Sequence, residues 1–177
     1  TTRPTIVVDV GPERVQYHTG DLAGKAWAQG DFTARCKSVR EPEKQAAIRS
    51  LAAAADVELP ARAPDRYSPM TWDDLREAER RGMTFAPHTV THPILARTEA
   101  GQVRTELGES WARLRAEARR PVPLFAYPNG QLGDFGTRDV KLLQEVGMTG
   151  AVTGIGGFAT RRRYRAENGP YLVPRFP

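Results

Sequence analysis

Two of the chain's three histidines, His88 and His92, stand four positions apart in the run Phe85-Ala86-Pro87-His88-Thr89-Val90-Thr91-His92-Pro93. Imidazole is the commonest protein ligand for a transition metal. In an extended strand the two rings would lie roughly 13 Å apart, too far to share an ion whose bonds to nitrogen are about 2.1 Å. The chain must therefore bend between them. Pro93 lacks an N–H and biases His92 away from the α region, so the spacing predicts a strand ending near His88, one tight turn, and a helix no earlier than Pro93.

The remaining chemistry-bearing residues narrow the donor set. Cys36 is the only cysteine, which excludes an internal disulfide and a Cys-rich zinc site; a bound metal would be held by nitrogen and oxygen. Trp72-Asp73-Asp74 offers two adjacent carboxylates, but a helix start explains them. His18 falls in a polar strand and reads as a surface residue. The net charge of +5 comes almost wholly from arginine, most sharply in Arg161-Arg162-Arg163-Tyr164-Arg165. A basic segment beside an aromatic can hold phosphate or nucleic acid. No recognition motif accompanies it and acids are interspersed with bases elsewhere, so the expectation is a solvated loop facing water or an anionic glycan, with no nucleic-acid partner.

The elements that must position these residues follow from composition and pattern. At 177 residues, 40% hydrophobic and 27% charged, with a mean hydropathy of −0.52, the chain can build a real core. No apolar stretch approaches the ~20 residues of a membrane span, and no basic head with an apolar run opens the sequence. The chain opens on Thr1-Thr2-Arg3 without an initiator Met, so a signal or strand upstream is an open expectation. Residues 5–10 and 14–18 read as a β-hairpin across Gly11-Pro12-Glu13, and 41–56 as an Ala-rich helix with Ile48, Leu51 and Ala55 on one face. A Pro-containing connector ends this segment, giving an expected boundary between residues 1–68, a hairpin-plus-helix insertion or accessory segment, and residues 69–177.

The second part alternates helix and strand. Thr71 is an N-cap with Asp74 at the capping-box position and Gly82 closes that helix. A strand over 83–88 follows, then a long amphipathic helix from Thr98 to Arg119 carrying Val103, Leu107, Trp111 and Leu114 on one side. Further strands are expected at 122–127, 148–153 and 171–173, with a helix at 136–146. Repeating βα units argue for a parallel sheet or barrel whose functional residues gather at strand C-termini. His88 and His92, Pro128-Asn129-Gly130 and Thr153-Gly154 would then share one mouth. Three or four parallel strands are too few for an eight-unit barrel, which takes ~250 residues, so the fold class expected is α/β, an incomplete or distorted (β/α) barrel with an N-terminal insertion.

The paired motifs His88-Thr89-Val90-Thr91-His92-Pro93 and Phe125-Ala126-Tyr127-Pro128-Asn129-Gly130, together with Gly147-Met148-Thr149-Gly150-Ala151-Val152-Thr153, resemble the polysaccharide deacetylase family (NodB-homology domain, carbohydrate esterase family 4). The resemblance covers about residues 69–177. It implies a distorted, TIM-like (β/α) barrel and metal-dependent hydrolysis of acetyl groups on a sugar polymer. His88 and His92 match the family's two histidine ligands of a divalent ion, usually zinc, which polarises the acetyl carbonyl and lowers the pKa of bound water to about 7. Asn129 stands where tyrosine is usual in the family's P-Y-G turn, and its backbone N–H is a candidate oxyanion donor. Tyr127 and Pro128 would line the groove. Asp134 is a candidate for arranging the site, and Arg175 stands where the family's late histidine acts as general acid, making it a candidate substrate contact.

The family's T-F-D-D-G motif, which supplies a base and an aspartate ligand, has no counterpart in these residues. Val7-Val8-Asp9-Val10-Gly11 comes nearest, but Gly11-Pro12-Glu13 leads into a second strand, so Asp9 reads as part of the inserted hairpin. Three readings stay open: a carbohydrate deacetylase whose aspartates lie upstream of Thr1, a catalytically inactive deacetylase-like domain that binds glycan, and a metal-binding module completed by a partner's carboxylate. The first is the leading expectation. Its partner would be an acetylated glycan, which favours the cell envelope or secretion over the cytoplasm.

Overall fold

The computed structural model describes residues 1–175. The chain divides into two compact units, Thr1–Ser68 and Pro69–Pro177. In the first, Ile6, Val8 and Val10 alternate inward along β1 (Thr5–Val10), as the period-2 pattern of a half-buried strand requires. Strand β1 pairs antiparallel with β2 (Glu13–His18), with Val10 opposite Glu13. That leaves Gly11-Pro12 as a two-residue loop in which Gly11 takes φ +58°, a conformation glycine enters at little cost.

Two helices cover this hairpin, where one was expected. Helix α2 (Glu41–Ala55) matches the Ala-rich pattern and ends at Asp56 in a left-handed conformation. Helix α1 (Leu22–Ser38) was not legible: it contains Gly24 and Gly30 and buries only Ala28. Its start is set by Asp21, whose Oδ1 accepts from the Gly24 N–H at 2.7 Å. Ile6, Val8, Val10, Tyr17, Ala28 and Ala47 form the core of the unit. The Tyr17 hydroxyl donates to Asp31 at 2.9 Å; burial, then this bond, push its pKa up to about 12.

The second unit begins with α3 (Trp72–Arg80), whose capping box is formed as the sequence predicts: Thr71 Oγ1 accepts from Asp74 N, and Asp74 accepts from Thr71 N. Helix α4 (Ala100–Glu117) buries Val103, Leu107 and Leu114. Strands β3 (Leu124–Ala126), β4 (Gly150–Gly156) and β5 (Val173–Arg175) form a parallel sheet in that spatial order, with α5 (Thr137–Glu145) crossing between β3 and β4. Leu95, Val103, Leu107, Phe125, Tyr127, Leu143 and their neighbours fill the interface between helices and sheet.

Two expectations change here. Residues 83–88 are extended but not a regular strand: Phe85 O accepts from Val122 N at 3.0 Å and Pro87 O from Ala126 N at 3.4 Å. Pro87 and Pro123 each lack the N–H that an even ladder needs. The architecture is mixed α/β with five strands and, among the described residues, no closed barrel. No helix among the described residues is long and apolar enough to cross a membrane.

Candidate active site

The segment 88–92 leaves the end of the extended run and turns back at once. Thr89 and His92 hold left-handed φ angles of +67° and +60°, uncommon for any residue other than glycine and strained for a β-branched one. Local bonds brace them. The Thr89 hydroxyl donates to His88 O and accepts from His92 N at 3.1 Å. Glu106, on the inner face of α4 and 6% exposed, reaches the tip of the turn, where its carboxylate accepts from Val90 N, Thr91 N and Thr91 Oγ1 at 2.7, 2.9 and 2.6 Å.

This turn folds the two imidazoles onto each other, edge to face, with ring centroids 4.8 Å apart. Nδ1 of His88 lies 2.6 Å from the carbonyl of Ala126 at the end of β3. A carbonyl only accepts, so Nδ1 carries the hydrogen, and in the neutral ring Nε2 then keeps the lone pair. That is the tautomer a metal-binding histidine adopts when a backbone carbonyl orients it. Both rings are solvent-exposed. The donor set therefore suits two positions of a tetrahedral nitrogen/oxygen site. Among the described residues no third His, Cys, Asp or Glu completes a cluster.

Three residues beyond Ala126 the chain turns again at Asn129 and Gly130, with φ +58° and +71°. Asp134, 6% exposed, organises this turn: it accepts from Asn129 Nδ2 at 2.5 Å, from Gln131 N at 2.8 Å and from Arg97 Nη1 at 3.1 Å. The far side is closed by β4, where Gly154 N donates to Gly130 O at 2.8 Å. A Cβ on Gly154 would collide with Asn129 O, so the close approach requires glycine there. Among the described residues the Asn129 N–H donates to no protein acceptor.

The structure brings the His88 ring to the end of the strand that leads into the Asn129 turn and makes Asp134 the hub of that turn. Tyr127 and Pro128, expected on a groove wall, are both buried. The Tyr127 ring stacks on Phe135 at 3.8 Å, and its hydroxyl is buried without a hydrogen-bond partner among the described residues. Burial, with Asp139 and Tyr171 adding to it, holds this phenol well above its usual range. Arg175 is exposed at the end of β5, where its carbonyl accepts from Gly157 N at 3.1 Å. Asp9 faces solvent on β1, its carboxylate 3.9 Å from Arg14, and exposed His18 lies 3.3 Å from Asp21. Sequence reasoning missed Glu106. The signal was present: it is a carboxylate on the stripe defined by Val103 and Leu107, where an unpaired charge is costly.

No curated protein matches the chain. Solved structures that resemble it include two deacetylases. The Streptococcus pyogenes deacetylase PplD, determined in complex with acetate, superposes with a TM-score of 0.54 at 23% identity, over 63% of this chain and 46% of its own. A de-N-acetylase from Aggregatibacter actinomycetemcomitans gives 0.49 at 16% identity, over 68% and 52%. The chain thus spans about half the length of these two proteins, and the first of them supports the fold. The sequence profile described as polysaccharide deacetylase matches residues 45–151, more than half of the chain and including most of α2, which the motif resemblance had left outside. The chain belongs to the polysaccharide deacetylase family.

Proposed function

We propose that this chain is part of a metal-dependent hydrolase that removes acetyl groups from a polysaccharide or amino-sugar polymer. The observation that carries the reading is the paired imidazoles, with His88 fixed in the tautomer that frees Nε2. His88 and His92 would hold a divalent ion, zinc by the nitrogen donors, with the third ligand and the base supplied by residues outside those described. Such an ion, when bound, polarises an acyl carbonyl and lowers the pKa of water to about 7.

The chain's own residues do the positioning. Glu106 fixes the turn that presents both rings, and Ala126 O sets the plane of His88. In this reading the Asn129 N–H, aimed by the Asp134 contacts, donates to the acyl oxygen as it gains charge. Tyr127 and Pro128 support that turn from within the core, and Arg175 at the rim of β5 meets the polymer. A polymeric glycan substrate is most accessible in the cell envelope or outside the cell, and we place the protein there.

Zinc titrated into the 177-residue chain, and into a polypeptide carrying the residues its gene encodes before Thr1, tests the ligands. His88→Ala is expected to remove most of the bound metal, and unchanged metal content would sink the assignment. Acetate release from acetylated amino-sugar oligomers by the extended polypeptide tests the chemistry. Zinc binding without acetate from any acetylated glycan would instead favour a glycan-binding domain that has lost activity.

A further inference from the structure

Charge is distributed unevenly along this chain. Residues 150–175 contain five arginines and one glutamate, which is +4 of the formal +5 carried by all 177 residues. Elsewhere most arginines with an ion pair sit beside acids close in sequence or on a neighbouring element, as Arg35 does with Asp31, Arg76 with Asp73 and Glu117, and Arg104 with Glu145. Arg161, Arg162, Arg163, Arg165 and Arg175 are all exposed, and among the described residues none forms an ion pair with a carboxylate. The four on the short helix α6 (Arg161–Arg165) are held in a fixed turn by Thr160, which accepts from Arg163 N at 3.2 Å. The Arg163 guanidinium lies 3.6 Å from where a Cβ on Gly157 would sit, and the backbone carbonyl of Arg175 accepts from the Gly157 N–H.

The place of this patch matters as much as its sign. Strand β4 passes Gly154, which closes the Asn129 turn, and ends at Gly156, one residue before the Gly157 against which the Arg163 guanidinium lies. The cationic surface therefore continues from the same strand end as the candidate site. Tyr164, 57% exposed on α6, adds an aromatic face of the kind that stacks on sugar rings.

We propose that Arg161, Arg162 and Arg165 bind the carboxylates of an anionic, uronic-acid-bearing glycan, and that such a polymer is the substrate class presented to His88 and His92. The assignment of the polymer to that site rests on the deacetylase reading, whereas the binding surface does not. Guanidinium forks match carboxylates bidentately, and unpaired surface charges act over about a Debye length, ~10 Å at 0.1 M salt.

The test uses the 177-residue chain and calorimetric titration with three probes: an N-acetylated uronic-acid-containing oligosaccharide, an uncharged N-acetylglucosamine oligomer of equal length, and a single-stranded oligodeoxynucleotide of equal charge. The uronate oligomer is expected to bind at least about tenfold tighter than the neutral one at low salt, with the margin shrinking as salt rises. The triple variant Arg161→Gln, Arg162→Gln, Arg165→Gln should lose that margin while binding the neutral oligomer as before; its positions are exposed, and the salt series on the unaltered chain needs no variant. Equal binding of charged and neutral sugars, or an unaffected triple variant, overturns the proposal. So does an oligodeoxynucleotide bound as tightly as the uronate, which makes the patch a general polyanion surface. Failure to release acetate would leave these comparisons untouched, so the two readings fail separately.

Discussion

Tyr127 carries the sharpest single-residue consequence. Its ring is well packed between Phe125 and Phe135, yet its hydroxyl is buried without a protein partner among the described residues. Leaving such a group unsatisfied costs about 1–3 kcal/mol, while the ring's contacts survive removal of one oxygen. Tyr127→Phe is therefore expected to raise stability by about 1 kcal/mol, read as a higher denaturant midpoint with an unchanged slope. A loss of similar size would mean that an ordered water completes the hydroxyl's bonding. By contrast, Phe125→Ala at 1% exposure should cost about 3–5 kcal/mol, because nothing refills the volume. His88 differs from both: it is exposed, so its replacement should change metal content far more than stability.

The turn between His88 and His92 shows how far element-scale physics is readable in advance. Strand geometry and Pro93 required a tight turn, and one is there. The strain at Thr89 and His92 was not legible, and although Glu106 stood out as a charge on an apolar stripe its partners did not, because it lies on α4, fifteen residues from Thr91. The same contrast separates α3, announced by the Thr71 and Asp74 capping box, from α1, whose glycines and single buried alanine leave almost no periodic signal. Residues 83–88 have strand composition, but two prolines interrupt the ladder, a tertiary detail of pairing with Val122 and Ala126. Glu106→Ala removes three hydrogen bonds from one turn. It should cost about 1–3 kcal/mol and weaken zinc binding at His88 and His92 about tenfold, as loss of an outer-shell partner does. Glu106→Gln, which keeps one acceptor oxygen, should lie between the two. Loss of stability with zinc affinity intact would assign Glu106 to helix packing alone.

At the scale of the whole molecule, the partners of the carboxylates set the response to pH. Asp21, Asp31, Glu43, Asp74, Glu77 and Glu79 are all held below their usual range. The causes differ. Asp31 is lowered first by Arg35, whereas the Glu79 carboxylate, 2% exposed, is lowered first by the backbone N–H groups of Arg119 and Arg120, each at 2.9 Å. A depressed folded-state pKa contributes stability that is present above the unfolded value, about 4.3 for glutamate, and lost as pH falls through the folded value. Tyr17 has the opposite sign. Raised to about 12, it contributes stability that is present below about pH 10 and lost as pH rises toward the folded value. The denaturant midpoint should therefore be flat near neutrality, fall below about pH 5 as protons bind the unfolded chain more tightly, and fall again above about pH 10. Glu79→Gln provides the control. It keeps a carbonyl acceptor for one N–H but cannot ionise, so it should be less stable than the parent at pH 7 and show a shallower acid decline. Parallel acid limbs for the two proteins would show that Glu79 binds its proton equally in both states, and that the bonds to Arg119 and Arg120 do not govern the acid edge.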